Sequence, residues 1–408
     1  MTAPTPPPFD GLIVVADSPA IIRAGGPWIL LGRWADAGRE ILGRASIVTP
    51  DGRLTDADVR ALGTRSARSR AQAPAWRRAI PEPAVTTLRD ASRWLQNQSQ
   101  RSADLVRFAP AYERPLVLQY HSLFFDGGLR LAEAVGAPSV ALLDALQVWE
   151  AQRWGVRRPG WGERLEERGE IRILERADLV ACVSDEVAEA LHERGIPPER
   201  TITTPNRAAA EFFVDRDREA LRRTHGIAPT DRVIGWVGSF RKFHDLDVLF
   251  AAFELVAADD PTALLLLVGD GPERPVAERL VHRYGADRVR IAGMVATEQV
   301  PDYVAMFDVG VIPLRPTEEF HYSPLKLHEF MAAGIAVIAP AIGEIARDHA
   351  SGDDLLLYHP GDVVGLRQRI DLALRDPELR THLARNARAH EMQTGSTSAQ
   401  LTRVVDAV

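Results

Sequence analysis

A chain of 408 residues exceeds what one ordinary core organises, and such chains divide into about two or three domains of roughly 100–200 residues each. The net charge of -7, spread without a long basic run, argues against a protein built to grip a nucleic-acid backbone, which sets many cations against phosphates. Cys182 is the only cysteine, which excludes an intramolecular disulfide framework and a cysteine-rich zinc site and fits a reducing cytoplasm.

Residues 1–10 are proline-rich and lack a basic stretch leading into an apolar core, so they read as a disordered lead rather than a signal peptide. No apolar run approaches the roughly 20 residues that a membrane-crossing helix needs. The expectation is a soluble, cytoplasmic chain, with a peripheral membrane contact through an amphipathic patch left open.

From residue 11 the apolar runs GLIVVA, ASIVT, PLVLQY, PSVALL and LVACVS alternate with helical stretches such as LRLAEAVG and DEVAEALHERG. Near-continuous apolar strands belong to parallel sheets covered on both faces, and their alternation with helices gives an α/β class. Gly25 and Gly26, in RAGGPW, follow the first strand and either admit a ligand across a cleft or simply allow a turn. Residues 51–113 break the pattern. Their segment RSARSRAQAPAWRRAIPEP is basic, holds prolines and tryptophan and has no clean period. It reads as a helical excursion with solvated arginines or as an acceptor- or membrane-facing patch. His121 follows a predicted strand, where α/β folds often place catalytic groups, and either binds sugar, steers an acceptor or is structural. Asp144 and Glu150 are candidates for hydrogen bonds to sugar or acceptor hydroxyls, against plainer readings as a strand-end cap and an exposed helix carboxylate.

This first Rossmann-like domain spans 11–208 and ends in TTPNRAAAEFFVDRDREALRRTHGIAPTD, a polar, proline-interrupted boundary. The runs RVIGWVGS, ALLLLVGDGP, VRIAGMV, DVGVIPL, IAVIAP and DLLLY then repeat the grammar over 209–385. Residues 386–408 are expected as a helical tail that crosses back to the first domain. In GWVGSFRKFHDLD, Gly235 and Gly238 permit close backbone approach, and Arg241, Lys242 and His244 supply donors. Both the dense dinucleotide fingerprint and the Walker lysine are missing. VGDGP reads as a strand-to-helix connector.

The segment FHYSPLKLHEFMAAGIAVIAP, residues 320–340, carries the densest chemistry. Ser323 is placed to cap a helix and Pro324 to occupy its first turn. Leu327, Phe330, Met331 and Gly334 then share one side, and Lys326 and Glu329 another. Exposed first-turn amides, the positive helix end and Lys326 make a diphosphate site, with Glu329 a turn deeper near ribose hydroxyls. A surface ion pair on an ordinary capped helix is the plainer alternative.

Taken in order, GWVGSFRKFHDLDVLFAAF, LLLLVGDGP, RIAGMVATEQVPDYVAMFDVGVIPL and SPLKLHEFMAAGIAVIAP resemble the retaining glycosyltransferases of family 4. ILERADLVACVSDEVAEAL followed by TTPN is similar to the close of that family's first domain. The resemblance implies a GT-B fold, two facing Rossmann-like domains with an interdomain cleft, in the Ser-Pro-x-Lys branch. It implies a nucleoside-diphosphate sugar held by the second domain, a hydroxyl acceptor held by the first, and no metal or other cofactor. It carries Lys326 to the diphosphate, Glu329 to the donor ribose and Gly25 and Gly26 to the donor phosphates. With the residue reading added, His121, Arg241 and Lys326 are the expected catalytic residues; Gly25, Gly26, Gly238, Ser239, Lys242, His244, Ser323, Pro324, Leu325, Leu327 and Glu329 are the expected donor-binding residues, and Asp144, Glu150 and His321 the expected sugar or acceptor contacts. His321 stands where the family has its first glutamate, Ser239 and His244 stand where it has an arginine and a lysine, and Arg207 replaces the glycine of PNG. Arg241, Lys242 and Lys326 are the replacement cations. Carbohydrate, lipid-linked and small-molecule acceptors all fit, whereas nucleic acid does not. A sugar-nucleotide epimerase and a noncatalytic sugar-nucleotide scaffold remain the alternative functions.

Overall fold

The computed structural model describes residues 8–408 apart from 24, 65–81, 100–101, 154–155, 157, 159–161, 318–319 and 322. Most of the expected lead and of the basic stretch within the excursion lies outside the described residues.

The apolar runs become strands of two sheets. The first contains β1 (Gly11–Val15), β2 (Ala45–Thr49), β3 (Gly52–Leu54), β4 (Pro115–Tyr120), β5 (Ser139–Leu143), β6 (Leu179–Cys182) and β7 (Thr201–Thr203). Its order is β3-β2-β1-β4-β5-β6-β7, parallel except for the β2–β3 hairpin. The second contains β8 (Arg232–Val237), β9 (Ala263–Val268), β10 (Val289–Gly293), β11 (Val309–Val311), β12 (Ala336–Pro340) and β13 (Leu356–Tyr358). Its order is β10-β9-β8-β11-β12-β13, parallel throughout. Every residue of β1, β4, β9 and β12 is buried, as strands covered on both faces require. The protein therefore has two facing Rossmann-like domains with a cleft between them. The stretch 51–113 is not purely helical: it opens with β3, entered through Gly52 at φ +140°. Three residues carry too little hydrophobic pattern to announce a strand, and β7 escapes the sequence reading for the same reason.

In each sheet the strand order reverses beside the first strand, between β1 and β4 and between β8 and β11. Such reversals open a crevice at the carboxyl ends of the strands, where α/β folds bind ligands. Two helices reach the second sheet's crevice with their first turns, α1 (Gly25–Leu42) and α2 (Leu325–Ala332), and two more pack against them, α3 (Pro377–Thr394) and α4 (Thr397–Ala407). Trp28, Leu31 and Trp34 of α1 pack over Leu12 and Val14 of β1. α3 packs on α2 and β12, then Gly395 at φ +91° ends it. Ser396 caps α4, its hydroxyl accepting the Ala399 amide at 3.3 Å. α4 lies against α1, with Leu401 and Val404 fully buried in the first domain's core.

The domains also touch near the cleft. Ser184 Oγ donates to the His321 carbonyl at 2.7 Å, and Asn206 Nδ2 donates to the Ser323 carbonyl at 2.8 Å. Among the described residues no helix is long and apolar enough to cross a membrane.

Candidate functional site

The crevice of the second sheet opens into a cavity of about 380 Å³ whose walls come from both domains. Its floor is a backbone junction. Gly238 N donates to the Val268 carbonyl at 2.9 Å, and Gly269 N to the Gly293 carbonyl at 2.8 Å. Gly238 lies at φ +150° and Gly269 at φ +129°. A Cβ on Gly269 would sit 1.9 Å from the Gly238 oxygen, so this approach admits only glycine. VGDGP is thus part of the cavity wall, through Gly269 and Asp270, as well as a connector. Gly235 differs from expectation: its missing side chain makes room for the Phe307 ring, 2.0 Å from an ideal Cβ, not for a ligand.

Charge is placed over this floor by two segments. Lys326, in the first turn of α2, points its Nζ over the Trp236 ring at 4.4 Å from the centroid and donates to His244 Nδ1 at 3.3 Å. Burial draws the Lys326 ammonium down to about 7, against the pull of Glu329. Burial, then Lys326 and Arg241, push His244 well below the usual histidine range, so it stays neutral and accepts from the lysine. Burial also lowers the Arg241 pKa. Gly25 and Gly26 face them from the other domain, at the start of an 18-residue helix whose positive end meets the cavity.

Two expectations about α2 are corrected. Ser323 does not cap it, because the helix begins at Leu325 and the cap position falls on Pro324, which precedes the first turn rather than occupying it. The Ser323 hydroxyl turns inward to His328 Nε2 at 3.0 Å, while His328 Nδ1 donates to Glu391 Oε1 of α3 at 2.7 Å. Lys326 and Glu329 are also not a surface ion pair. Both line the cavity, and Glu329 Oε1 accepts from Arg33 Nη2 of α1 at 2.5 Å. Burial raises the Glu329 pKa, and Arg33 opposes the rise.

Of the residues singled out in the sequence, the cavity gathers Gly25, Gly26, Gly238, Ser239, Arg241, His244, Leu325, Lys326 and Glu329. Lys242 is exposed outside it, its carbonyl accepting from Arg315 at 2.7 Å. Leu327 is core, and Ser323 and Pro324 are buried beside the helix start. His121, Asp144, Glu150 and His321 do not line this cavity. The first three belong to the first domain's crevice and His321 approaches from the second. There His121 Nε2 donates to Glu170 Oε1 at 2.8 Å, and the Tyr120 hydroxyl donates to Asp144 Oδ2 at 2.7 Å. His121 Nδ1 and Asp144 Oδ1 are buried without a hydrogen-bond partner. His321 packs edge-on to Trp149 at 4.7 Å and approaches Glu150 Oε1 at 3.4 Å.

Sequence reasoning did not find Arg33, Phe212 or the apolar end of the cavity at Met294, Val295 and Val300. The only available signal for Arg33 was a charge between Leu31 and Trp34 in an otherwise apolar turn. Among the described residues, one group of possible metal donors comes together, His349, Asp354 and His390. His349 Nδ1 donates to Asp354 Oδ2 at 2.7 Å, and none of the three lines the cavity.

Comparison with known proteins divides along the same boundary. Residues 43–207 match the model "Glycosyltransferase Family 4", and residues 231–376 match "Glycosyl transferases group 1". N-acetyl-alpha-D-glucosaminyl L-malate synthase of Bacillus anthracis is 30% identical over 216 residues, 53% of this chain and 55% of the relative. D-inositol 3-phosphate glycosyltransferase of Geodermatophilus obscurus is 32% identical over 209 residues, 47% and 46% of the two chains. The chain thus spans about half the length of the curated relatives it matches. The crystal structure of Anabaena HepE with UDP and glucose superposes at a TM-score of 0.67 over 98% of this chain and all of that one, at 18% identity. Sucrose-phosphate synthase of Thermosynechococcus elongatus gives 0.66 over 96% and 98%, also at 18% identity. These two likenesses establish the shared fold.

Proposed function

Since the chain belongs to glycosyltransferase family 4 and has the GT-B fold, we propose that it transfers a glycosyl group from a nucleoside-diphosphate sugar to a hydroxyl acceptor, with retention, as a Ser-Pro-x-Lys member. The observation that carries the reading is the convergence of Lys326, Arg241 and the α1 amino terminus on the glycine floor of one cavity. As the anomeric bond opens, negative charge grows on the leaving diphosphate. Groups already aimed there stabilise the transition state more than the ground state. Lys326 sits near its midpoint at neutral pH when the site is empty, so an incoming diphosphate draws a proton onto it. Glu329 takes the ribose hydroxyls, and the apolar end at Met294 and Val295 takes the base.

On the acceptor side, His121 with its Nε2–H committed to Glu170 presents Nδ1 as an acceptor, and Asp144 presents Oδ1. Buried polar atoms without partners are uncommon, and two of them in one crevice suit the hydroxyls of a substrate. Glu150 and His321 flank that crevice from the two domains. In this reading the acceptor attacks the face the diphosphate leaves, and the departing phosphate oxygen takes its proton. The acceptor is a carbohydrate, a lipid-linked glycan or a small molecule. The exposed Leu88, Trp94 and Leu95 of the helix Glu82–Ser99 favour a peripheral membrane contact for the lipid-linked case.

Calorimetric titration with UDP, GDP and ADP, repeated on Lys326→Ala, tests the reading. The expected result is selective binding of one base, weakened by the substitution, with proton uptake at pH 7.5 seen as buffer-dependent heat. No binding by the folded protein, or binding indifferent to Lys326→Ala, overturns it.

A further inference from the structure

Arg33 lies about two turns into α1, the helix whose first residues edge the cavity. Its guanidinium crosses the domain boundary in a fork. Nη2 donates to Glu329 Oε1 at 2.5 Å, and Nη1 donates to the Arg207 carbonyl, just past the last strand of the first sheet, at 2.9 Å. The Arg33 and Glu329 side chains are only 9% and 10% exposed. A buried ion pair repays little stability compared with apolar side chains of the same shape, so its value is sought in what the partners do. Glu329 lines the donor cavity.

We propose that Arg33 is a positioning residue of the donor site: it fixes the orientation and charge of the Glu329 carboxylate, so that the ribose-binding group is complete only while the two domains are docked. This rests on the donor-site reading above. An ionised carboxylate offers about four acceptor positions, so the contact at Oε1 leaves room for ribose hydroxyls. The groups facing Glu329 are Arg33 from α1, Lys326 from its own helix and Glu211 from the turn Ala210–Phe213. Burial, and to a smaller degree Glu211, raise the Glu329 pKa, while Arg33 and then Lys326 oppose the rise. Lys326 is drawn down to about 7 and is only partly charged at neutral pH. The planar fork of Arg33 reaches both acceptors at once, which a lysine ammonium does not reproduce.

The test titrates whichever of UDP, GDP and ADP binds best, alongside its 2′-deoxy counterpart, between pH 6 and pH 8.5. The proteins are wild type, Arg33→Met, Glu329→Gln and the double variant, each checked for folding by thermal melting. Without Arg33 the Glu329 pKa rises further, because burial is then opposed only by Lys326. Arg33→Met is therefore expected to bind the ribonucleotide about tenfold more weakly at pH 6.5, with the loss shrinking as pH rises. Its preference for ribose over deoxyribose falls with it. The double variant, which leaves no carboxylate unpaired, is expected to match Glu329→Gln and to show no such pH dependence. Arg33→Met that binds like wild type in affinity, ribose preference and pH profile, while Glu329→Gln binds more weakly, sinks the role of Arg33 and spares the donor site. Should Arg33→Met fail to fold, the double variant decides: weaker binding than Glu329→Gln means that Arg33 acts through something other than Glu329, and the proposal fails. If Glu329→Gln and Lys326→Ala both bind every nucleotide as wild type does, the donor-site reading fails first and takes this proposal with it.

Discussion

The crevices at the two sheets' switch points share a topology and differ in charge. The second sheet's crevice opens into a cavity walled by glycine backbone and cations, with Lys326 and Arg241 directed at it. The first sheet's crevice is acidic: Asp17 and Glu170 are buried there and Asp144 is half-buried, and desolvation pushes the Asp17 and Asp144 carboxyls up to about 6. Glu170 is satisfied by His121 and by the Gln147 and Val148 amides at 2.6 and 2.9 Å. The contrast agrees with the proposed division of donor and acceptor between the halves. A diphosphate requires positive charge and close backbone amides, whereas a hydroxyl requires acceptors.

The sharpest way to break this division is to remove a cation. Lys326→Ala and Arg241→Ala are each expected to lower the transfer rate by about ten- to a thousandfold, roughly 1.4 to 4 kcal/mol of transition-state stabilisation. Folded variants with wild-type steady-state rates would remove the cationic crevice from the chemistry. Next comes the floor. Gly238→Ala forces a side chain into φ +150° and places its Cβ 3.2 Å from Lys326 Nζ. Donor affinity should fall by about tenfold or more, since the lysine must move away from the bound phosphates. An unchanged nucleotide dissociation constant would show that the floor yields.

On the other side, His121→Gln is expected to reduce kcat by about tenfold while leaving nucleotide affinity intact, because the proposed function sets it against the acceptor. Loss of nucleotide binding would erase the distinction between the crevices. The smallest effect is on stability. With a folded carboxyl near 6 against an ordinary 3.8, Asp144 retains a proton that the unfolded chain has released. Its contribution is intact below about pH 4 and is lost as pH rises toward 6, on the order of 1 to 3 kcal/mol. Asp144→Asn should remove that slope, so urea unfolding at pH 4.5 and pH 7 should find the variant gaining on wild type as pH rises. A difference that stays constant with pH would argue against a protonated Asp144.

Legibility followed the range of the interactions. The runs GLIVVA and ALLLLV declared buried strands because their continuity is itself the physical signature, and the turn after β8 and the Lys326–Glu329 spacing declared their chemistry locally. Arg33 was hidden because its partner lies 296 residues away, beyond any spacing rule. Ser323 misled because capping depends on the single residue at which the helix begins, and here that boundary falls one position later. His121 and Asp144 were visible as strand-end residues. Their buried, unpaired atoms come from contacts that only the assembled fold creates.

One consequence of α4 reaches beyond catalysis. The face of α1 that carries Trp28, Leu31 and Trp34 shares its core with Leu401 and Val404, which are synthesised only after the whole of the second sheet. During synthesis the first domain waits with that tryptophan-rich surface incompletely covered until the second has emerged. The first domain's core is thereby completed from beyond the second domain, and a nascent chain halted after the second sheet would be a natural client for chaperones.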